Sequence, residues 1–310
     1  MQTVRPSSVS RRDFLVSVPG ALVAARAAAA GLSGRGPGRL PPATRPRGPG
    51  DETTALPGVK LVIYDWALPL LMDDAVTCQA IVDRPETTIL STTYGAAHPE
   101  KGPTNIPLGW KATRGMQFAS YQQFASMAAA KQIPSNVGVV VYNPEAQWTF
   151  TPDDEKKHPK LWGRAFATLA VSKGLEPWAA PSCTLMHSIG KAPAKPTKSC
   201  LHGIVLPFAR WSEVLDIQIQ RAETDPAAYA ELAKGAYDAV RAVPLDTQLY
   251  LQLSTDPVIG VTVEQLLACM EVTRELCDGY WMALDADGNF KLTMAFAKEL
   301  ANVVAQPAPA

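Results

Sequence analysis

The stretch Val137-Gly138-Val139-Val140-Val141-Tyr142-Asn143-Pro144-Glu145-Ala146-Gln147-Trp148 decides the fold expected for this chain. Its first half is a short apolar run of β-branched and aromatic residues, which predicts a strand buried on both faces. The run ends at Asn143-Pro144, and polar and aromatic side chains follow. Ligands of parallel α/β sheets gather at the carboxyl ends of the strands. The stretch therefore predicts a buried parallel strand and one part of a binding site.

The same pattern of an apolar strand followed by a helix recurs along the chain. Seven strands are predicted from apolar runs and period-2 alternation, at residues 59–64, 87–94, 137–142, 176–182, 214–220, 248–254 and 279–284. Apolar spacing predicts a helix over 117–131, and Thr151, Asp225 and Thr262 are predicted N-caps of three others. Regular alternation over about 250 residues indicates parallel strands with right-handed crossovers. We expect a single-domain (β/α)8 TIM-type barrel with one strand unrecognised, and the alternative is an open doubly wound parallel sheet.

Three segments of different composition follow one another in the sequence. Residues 1–30 contain Ser10-Arg11-Arg12-Asp13-Phe14-Leu15, which is typical of a twin-arginine signal peptide, followed by an apolar stretch and small residues. Residues 31–55 contain a Gly-, Pro- and Arg-rich segment typical of a disordered linker. Residues 56–306 form the predicted barrel domain. We expect the twin-arginine translocase to export the protein, which is then secreted or periplasmic and has no stable membrane anchor after cleavage.

The formal net charge of zero hides two oppositely charged parts. The whole chain has 29 basic and 29 acidic side chains, and the first 50 residues contain eight Arg and one acid. Residues 51–310 therefore contain 21 basic and 28 acidic side chains. An acidic mature domain lacks the basic stripe that nucleic-acid binding requires. The export signal explains the basic segment, and no nucleic-acid partner is expected.

The chain has five cysteines and four histidines, and neither set has the spacing of a metal site. Cys183 and Cys200 flank a loop rich in Lys, Pro and Ser. In an oxidising compartment they form either a disulfide or two free thiols. No GxGxxG or GxxxxGK[ST] turn is present. We expect no metal and no cofactor, and a redox enzyme that is loaded with a cofactor before export is a third hypothesis.

The active face of such a barrel collects the side chains that follow the strands. Here they are mostly carboxylates, amides and aromatics, which suit a sugar-like ligand because amides bind hydroxyls and indoles pack on sugar rings. The predicted ligand-binding residues are Trp66, Tyr94, Asn143, Gln147, Trp148, Gln218, Gln220, Gln252 and Trp281. Asp216, Gln218 and Gln220 alternate along one predicted strand and so share one of its faces. That face either lines a ligand cup inside the barrel or points outward beneath the helices.

Paired carboxylates are the predicted route to catalysis. Glycoside hydrolysis needs one protonated acid and one ionised carboxylate, roughly 5–10 Å apart. Glu145 follows a dry strand and precedes Trp148, where burial raises the pKa of a carboxyl, so it is the candidate general acid. Glu223 and Asp65 follow other strands and are the candidate second carboxyls, and Asp285 is a further acid on the same face.

The twin-arginine leader, the strand ending at Glu145, the Ile217-Gln218-Ile219-Gln220 strand and the end Gln252-Leu253-Ser254-Thr255 resemble secreted barrels of the glycoside-hydrolase type. The ending Asn143-x-Glu145 is similar to the Asp-x-Glu that closes the acid-bearing strand of chitinase-like barrels. The resemblance implies a secreted glycoside-hydrolase-like enzyme with Glu145 as general acid. Because Asn143 replaces the Asp of that motif, the alternative is a catalytically silent secreted barrel that binds a glycan or a small molecule.

Overall fold

The computed structural model describes residues 58–92, 109–145, 151–185, 200–242 and 245–305. Within these ranges, eight parallel strands pair in chain order and the last pairs with the first, so the sheet closes into a barrel. The strands are β1 (Lys60–Tyr64), β2 (Thr87–Thr92), β3 (Thr113–Phe118), β4 (Val139–Tyr142), β5 (Glu176–Ala179), β6 (Val214–Ile217), β7 (Gln248–Ser254) and β8 (Gly279–Ala283). The predicted TIM-type barrel is confirmed, and the alternative of an open sheet is wrong.

Helices connect the strands, and two of the predicted caps are in place. The helices are α1 (Leu68–Leu71), α2 (Ala75–Ile81), α3 (Tyr121–Ala129), α4 (Asp153–Lys157), α5 (Pro159–Ser172), α6 (Pro226–Arg241), α7 (Val263–Thr273) and α8 (Phe290–Ala305). Shorter helical turns cover Asp65–Ala67, Leu201–Val205, Leu206–Arg210 and Gln220–Ala222. Asp225 accepts hydrogen bonds from two N–H groups of the first turn of α6, and Thr262 forms a capping box with Gln265. Both predicted N-caps are therefore confirmed.

Strand β3 is the strand that the sequence patterns do not reveal. Its sequence has no run of β-branched residues and contains Arg114 and Gly115, and its last two residues were predicted to start a helix. The helix instead begins at Tyr121, and the Ser120 hydroxyl caps it by accepting from the N–H of Gln123. A Cβ on Gly115 would lie 2.5 Å from Cδ2 of Leu90, so the glycine makes room for a leucine of the neighbouring strand. Packing between strands, rather than intrinsic strand propensity, explains this residue.

The parallel registers determine which side chains point into the barrel. Alternate residues of each strand face inward, and the others face the helices. The buried inner cluster comprises Val62, Tyr64, Leu90, Val139, Val141, Trp178, Ala180, Val214, Tyr250 and Trp281. Aromatic rings fill much of it, since the ring centroids of Trp178 and Tyr250 are 5.8 Å apart and those of Trp178 and Trp281 are 6.2 Å apart. The middle of the barrel is therefore a packed core, and a site has room only toward the strand ends.

The barrel closes where β8 meets β1, and Gly279 permits that closure. A Cβ on Gly279 would lie 2.7 Å from the carbonyl oxygen of Lys60 and 2.8 Å from Cζ of Tyr250. We expect Gly279→Ala to lower the free energy of unfolding by about 1–3 kcal/mol, as overpacking does, in urea unfolding followed by circular dichroism. Gly138→Ala is the control, because a Cβ at that position would have no heavy atom within 4 Å. Equal losses in the two variants would contradict this explanation of Gly279.

A disulfide joins Cys183 and Cys200, whose Cα atoms are 5.7 Å apart. Of the two alternatives left by the sequence, the structure therefore has the bonded one. Such bonds persist in oxidising compartments. The predicted signal peptide and linker lie outside the described residues, so export and localisation stay predictions. No helix in the described ranges is long and apolar enough to cross a membrane.

Candidate functional site

Polar side chains occupy the inner face of the barrel toward the carboxyl ends of the strands. Asp216 of β6 is fully buried, and Glu145 follows β4 by three residues and is partly exposed. The charges of both carboxyls raise the pKa of Tyr64 of β1, in addition to the effect of burial, so the three groups lie close together. The Tyr64 hydroxyl donates to Oε1 of Gln117 on β3, at 2.9 Å. Side chains from four parts of the barrel therefore meet at one site.

Thr151 fixes the backbone that carries Glu145. The N–H of Glu145 donates to Oγ1 of Thr151 at 3.2 Å, and the Thr151 hydroxyl donates to the carbonyl of Ala119 at 2.7 Å. Ala119 follows β3 directly, so Thr151 links the chain after β4 to the end of its neighbour. The prediction that Thr151 caps helix α4 is wrong, because Pro152 occupies the cap position and makes no side-chain hydrogen bond there.

A chain of amides holds the Glu145 side chain from the other side. Nε2 of Gln218 donates to the carbonyl of Ala180 at 2.7 Å and to Oδ1 of Asn143 at 3.2 Å. With its oxygen so engaged, Asn143 presents its NH₂ group to the Glu145 carboxyl, with which it is hydrogen-bonded. Three strand ends therefore position one carboxyl group.

The environment of this carboxyl makes it a proton donor and acceptor near neutral pH. Burial raises the pKa of Glu145 to about 7, against the opposing effect of the hydrogen bond from Asn143. Burial also raises the pKa of Asp216 well above its usual range, and the charge of Glu145 raises it further. The negative charge of ionised Glu145 therefore favours the protonated form of Asp216.

Several buried polar atoms near Asp216 have no hydrogen-bond partner in the described part of the chain. They are both carboxyl oxygens of Asp216, Oε1 of Gln252 and Nε1 of Trp281, although the Trp281 N–H is directed at the Tyr64 hydroxyl and lowers the pKa of that group. The side chains are 0%, 6% and 0% exposed, respectively. Gln252 and Trp281 are register neighbours on β7 and β8, and Asp216 pairs with Tyr250, two residues before Gln252. Since buried polar groups almost always have partners, these atoms are candidates for hydrogen bonds to a bound polar molecule.

Aromatic side chains form the rim between β8 and β1. Trp66 stacks on Tyr64 with ring centroids 3.9 Å apart and an interplanar angle of 12°, and its Nε1 donates to the carbonyl of Leu284 at 3.0 Å. Trp66 is 37% exposed, whereas Trp281 is buried. The ring centroids of Trp281 and Tyr64 are 6.1 Å apart. An exposed indole above a buried aromatic pair gives a ligand an apolar surface beside the carboxyls.

The structure brings together most of the predicted ligand-binding residues that it describes. Asn143 and Gln218 hold Glu145, Gln252 and Trp281 have unpartnered atoms beside Asp216, and Trp66 is at the rim. Gln220 is different, because β6 ends at Ile217 and Gln220 begins a helical turn, so it does not share a strand face with Gln218 as predicted. Tyr94, Gln147 and Trp148 lie outside the described residues, and their roles stay predictions.

The structure pairs Glu145 with Asp216, and it places the two predicted partners elsewhere. Asp65 hydrogen-bonds with Ser91, on the side of β2 that faces the helices, and burial raises its pKa to about 6. Glu223 is buried, and its Oε1 accepts from the N–H of Ser254 at 2.6 Å. Neither affects the pKa of Glu145. Asp216 was predicted to share the possible ligand-cup face with Gln218 and Gln220, but it was not predicted to be the partner acid of Glu145.

The described ranges contain no group of three or more His, Cys, Asp or Glu side chains that could hold a metal ion. Predictions about cofactors and partners are not tested by this arrangement. What the described side chains offer is proton transfer, hydrogen bonding and aromatic contact.

No family model and no curated protein sequence matches this chain. It is similar in fold to several solved structures. The YdjI aldolase from Escherichia coli K12 has 10% identity and a TM-score of 0.44, with 80% of this chain and 91% of that chain covered. The HMG-CoA lyase from Brucella melitensis has 12% identity and a TM-score of 0.46, with 74% and 81% covered. The carboxyl transferase domain of Rhizobium etli pyruvate carboxylase has 11% identity and a TM-score of 0.43, with 81% and 50% covered. Likenesses this distant concern the fold and do not transfer an activity.

The predicted glycoside-hydrolase-like function is wrong, as is its alternative of a silent secreted glycan-binding barrel. The similar solved structures are described as an aldolase, a lyase and a carboxyl transferase, and not as glycoside hydrolases or glycan binders. The contacts of the predicted second carboxyls also argue against a glycosidase acid pair. Glu223 binds the backbone of Ser254, and Asp65 binds Ser91, so neither completes an acid pair with Glu145.

Proposed function

We propose that this protein is an enzyme that transfers protons to and from a small polar substrate at the carboxyl end of its barrel. The observation that carries the proposal is the position of Glu145, at the mouth of the barrel beside the buried Asp216, with its pKa raised to about 7. A carboxyl with a pKa near the working pH serves as base and then as acid in one catalytic cycle. Perturbed carboxyls of this kind are typical of active sites.

The proposed reaction removes a proton from carbon next to a carbonyl or imine group and returns it, as in an isomerisation or a racemisation. The Glu145 carboxylate takes the proton while the C–H electron pair moves into the unsaturated group. The resulting carboxylic acid returns the proton to the same carbon, which restores the carboxylate. In an isomerisation it returns the proton to the neighbouring carbon, and the substrate's own hydroxyl proton moves between the two oxygens of the enediolate. Asn143 and Thr151 are positioning residues, because they hold the Glu145 side chain and backbone. Trp66 and Tyr64 offer the substrate an aromatic surface.

Exchange of carbon-bound hydrogen for deuterium tests this proposal. The purified protein is incubated in D₂O with a panel of small aldehydes, ketones, amino acids and amino ketones, and loss of the proton signal is followed by ¹H NMR. For at least one compound we expect exchange faster than without protein. Since the basic form of Glu145 starts the reaction, the rate should rise with pH and be half-maximal near pH 7, where burial places the pKa of Glu145.

Two results would overturn the proposal. One is the absence of protein-dependent exchange for every class in the panel at every pH between about 5 and 9, the range that brackets a near-neutral general base. The other is exchange whose pH profile shows no group titrating near neutrality. In that case another group would carry the proton.

A further inference from the structure

The unpartnered atoms below Glu145 are mostly acceptors. Once Asp216 is ionised, it contributes two acceptor oxygens and Gln252 contributes Oε1, whereas the donor among these atoms, Nε1–H of Trp281, is directed at the Tyr64 hydroxyl. The three side chains lie on adjacent strands, on the same inner face of the barrel. A complementary ligand group therefore offers more donors than acceptors, and a primary ammonium has three donors and no acceptor.

Charge and aromatic surface favour a cation at the same place. In the described ranges no Lys or Arg bonds to Asp216. Lys60, which points into the barrel from β1, instead donates to Oε1 of Gln248 at 2.6 Å, at the opposite, amino-terminal end of the strands. The rings of Tyr64 and Trp281 lie 6.1 Å apart beside Asp216. An ammonium group is attracted both by the carboxylates and by the faces of such rings.

We propose that the substrate carries a primary ammonium group, which donates to the Asp216 carboxylate and to Oε1 of Gln252 and packs against Tyr64 and Trp281. This inference rests on the proposed proton-transfer function and names its substrate class. The ammonium anchors the substrate deep in the barrel, and the carbon that exchanges its proton lies above it, toward Glu145. Asp216 then binds the substrate and Glu145 performs the chemistry.

Binding of the ammonium group has a defined proton balance. Where Asp216 is protonated in the free protein, the ammonium binds as the Asp216 carboxyl releases one proton to solvent. Among the described residues, the titratable groups that face Asp216 are Glu145, Tyr64 and Tyr250. Burial raises the pKa of both tyrosines, which stay neutral, so neither tyrosine supplies the released proton. Affinity for an ammonium ion should therefore increase about tenfold per pH unit while Asp216 is protonated in the free protein.

Calorimetric titration of the full-length protein with n-butylammonium tests this inference, with n-butanol as the uncharged probe of the same shape. Measurements at pH 5, 6 and 7, in pairs of buffers with different ionisation enthalpies, give the affinity and the number of protons released. We expect n-butylammonium to bind with release of about one proton, as linkage to a single carboxyl requires, and n-butanol to bind more weakly and without pH dependence. Asp216→Asn should weaken ammonium binding at least tenfold, whereas Asp73→Asn, which changes an exposed carboxyl outside the site, should retain binding and proton release.

The inference is overturned if n-butanol binds as tightly as n-butylammonium, or if ammonium affinity does not change with pH in the wild-type protein. The wild-type measurements stand even if Asp216→Asn fails to fold. The outcome also separates this inference from the proposed function. If the protein binds n-butylammonium but exchanges no proton on any compound of the panel, the proposed proton-transfer function is rejected and the proposed ammonium ligand is retained. If the protein exchanges protons only on uncharged carbonyl compounds and does not bind n-butylammonium, the proton-transfer function is retained and the ammonium ligand is rejected.

Discussion

Replacing Glu145 with glutamine should lower the rate of protein-catalysed proton exchange by about 10²–10⁴-fold, the contribution of a positioned general acid–base group. Glutamine keeps the shape of the side chain, and its oxygen can still accept from Asn143, so the amide chain around it is preserved. What is lost is the group that takes and returns the proton. The rate of exchange by ¹H NMR, for the best compound of the panel, measures the effect.

Glu299→Gln is the matched control, because Glu299 is an exposed carboxyl on α8 and undergoes the same chemical change. Its exchange rate should equal that of the wild-type protein. A Glu145→Gln variant that is folded by circular dichroism and keeps more than half of the activity would show that Glu145 is not the proton carrier.

Replacing Asp216 with asparagine should change how the stability of the protein depends on pH. Burial holds the pKa of Asp216 well above its ordinary value of 3.8. The folded state therefore binds this proton more tightly than the unfolded chain does. The stabilisation is complete below pH 3.8 and is lost as pH rises toward the folded pKa, at about 1.4 kcal/mol per pH unit. Asparagine does not titrate, so the free energy of unfolding of Asp216→Asn should lack this dependence on pH.

Urea unfolding at pH 5, 6 and 7 measures the difference between the two slopes. We expect the wild-type free energy of unfolding to fall relative to that of Asp216→Asn as the pH rises from 5, by at most about 1.4 kcal/mol per pH unit. The exposed Asp73 supplies the control substitution, Asp73→Asn, whose curve should run parallel to the wild-type curve. Parallel curves for Asp216→Asn and the wild type would mean that a partner compensates the Asp216 charge in the folded state.

The sequence revealed the barrel because its parallel strands are buried on both faces and so read as apolar runs. Val139–Tyr142 is the clearest example, and it led directly to Glu145 at its end. Strand β3 escaped detection because its strand conformation depends on neighbours: Gly115 is there to accommodate Leu90, and a glycine on its own argues against a strand. The local sequence pattern shows which segments are buried. It does not show that a glycine is needed at one position to leave space for a side chain of the neighbouring strand.

The partner of Glu145 could not be chosen from order along the chain. Glu223 and Asp216 are seven positions apart, and both were within reach of the predicted mouth. Only the three-dimensional structure shows that Glu223 turns away to bind the backbone of Ser254, whereas Asp216 points into the barrel. The inward direction of Asp216 follows from its parity with Val214, a member of the inner cluster. The alternation of inward and outward residues along a barrel strand could therefore have identified Asp216 as an inward-pointing acid near Glu145.

The pairing of β8 with β1, together with the packing of α8 against α2, has a practical consequence for handling the protein. Strand β1 starts at the amino-terminal face of the barrel, and α8, which runs back after β8, ends at that same face. Both ends of the described chain, at residues 58 and 305, therefore lie opposite the mouth that holds Glu145. A biosensor surface or a reporter domain attached at either end would leave the mouth turned toward the solution, so immobilised protein is suited to measuring ligand binding directly.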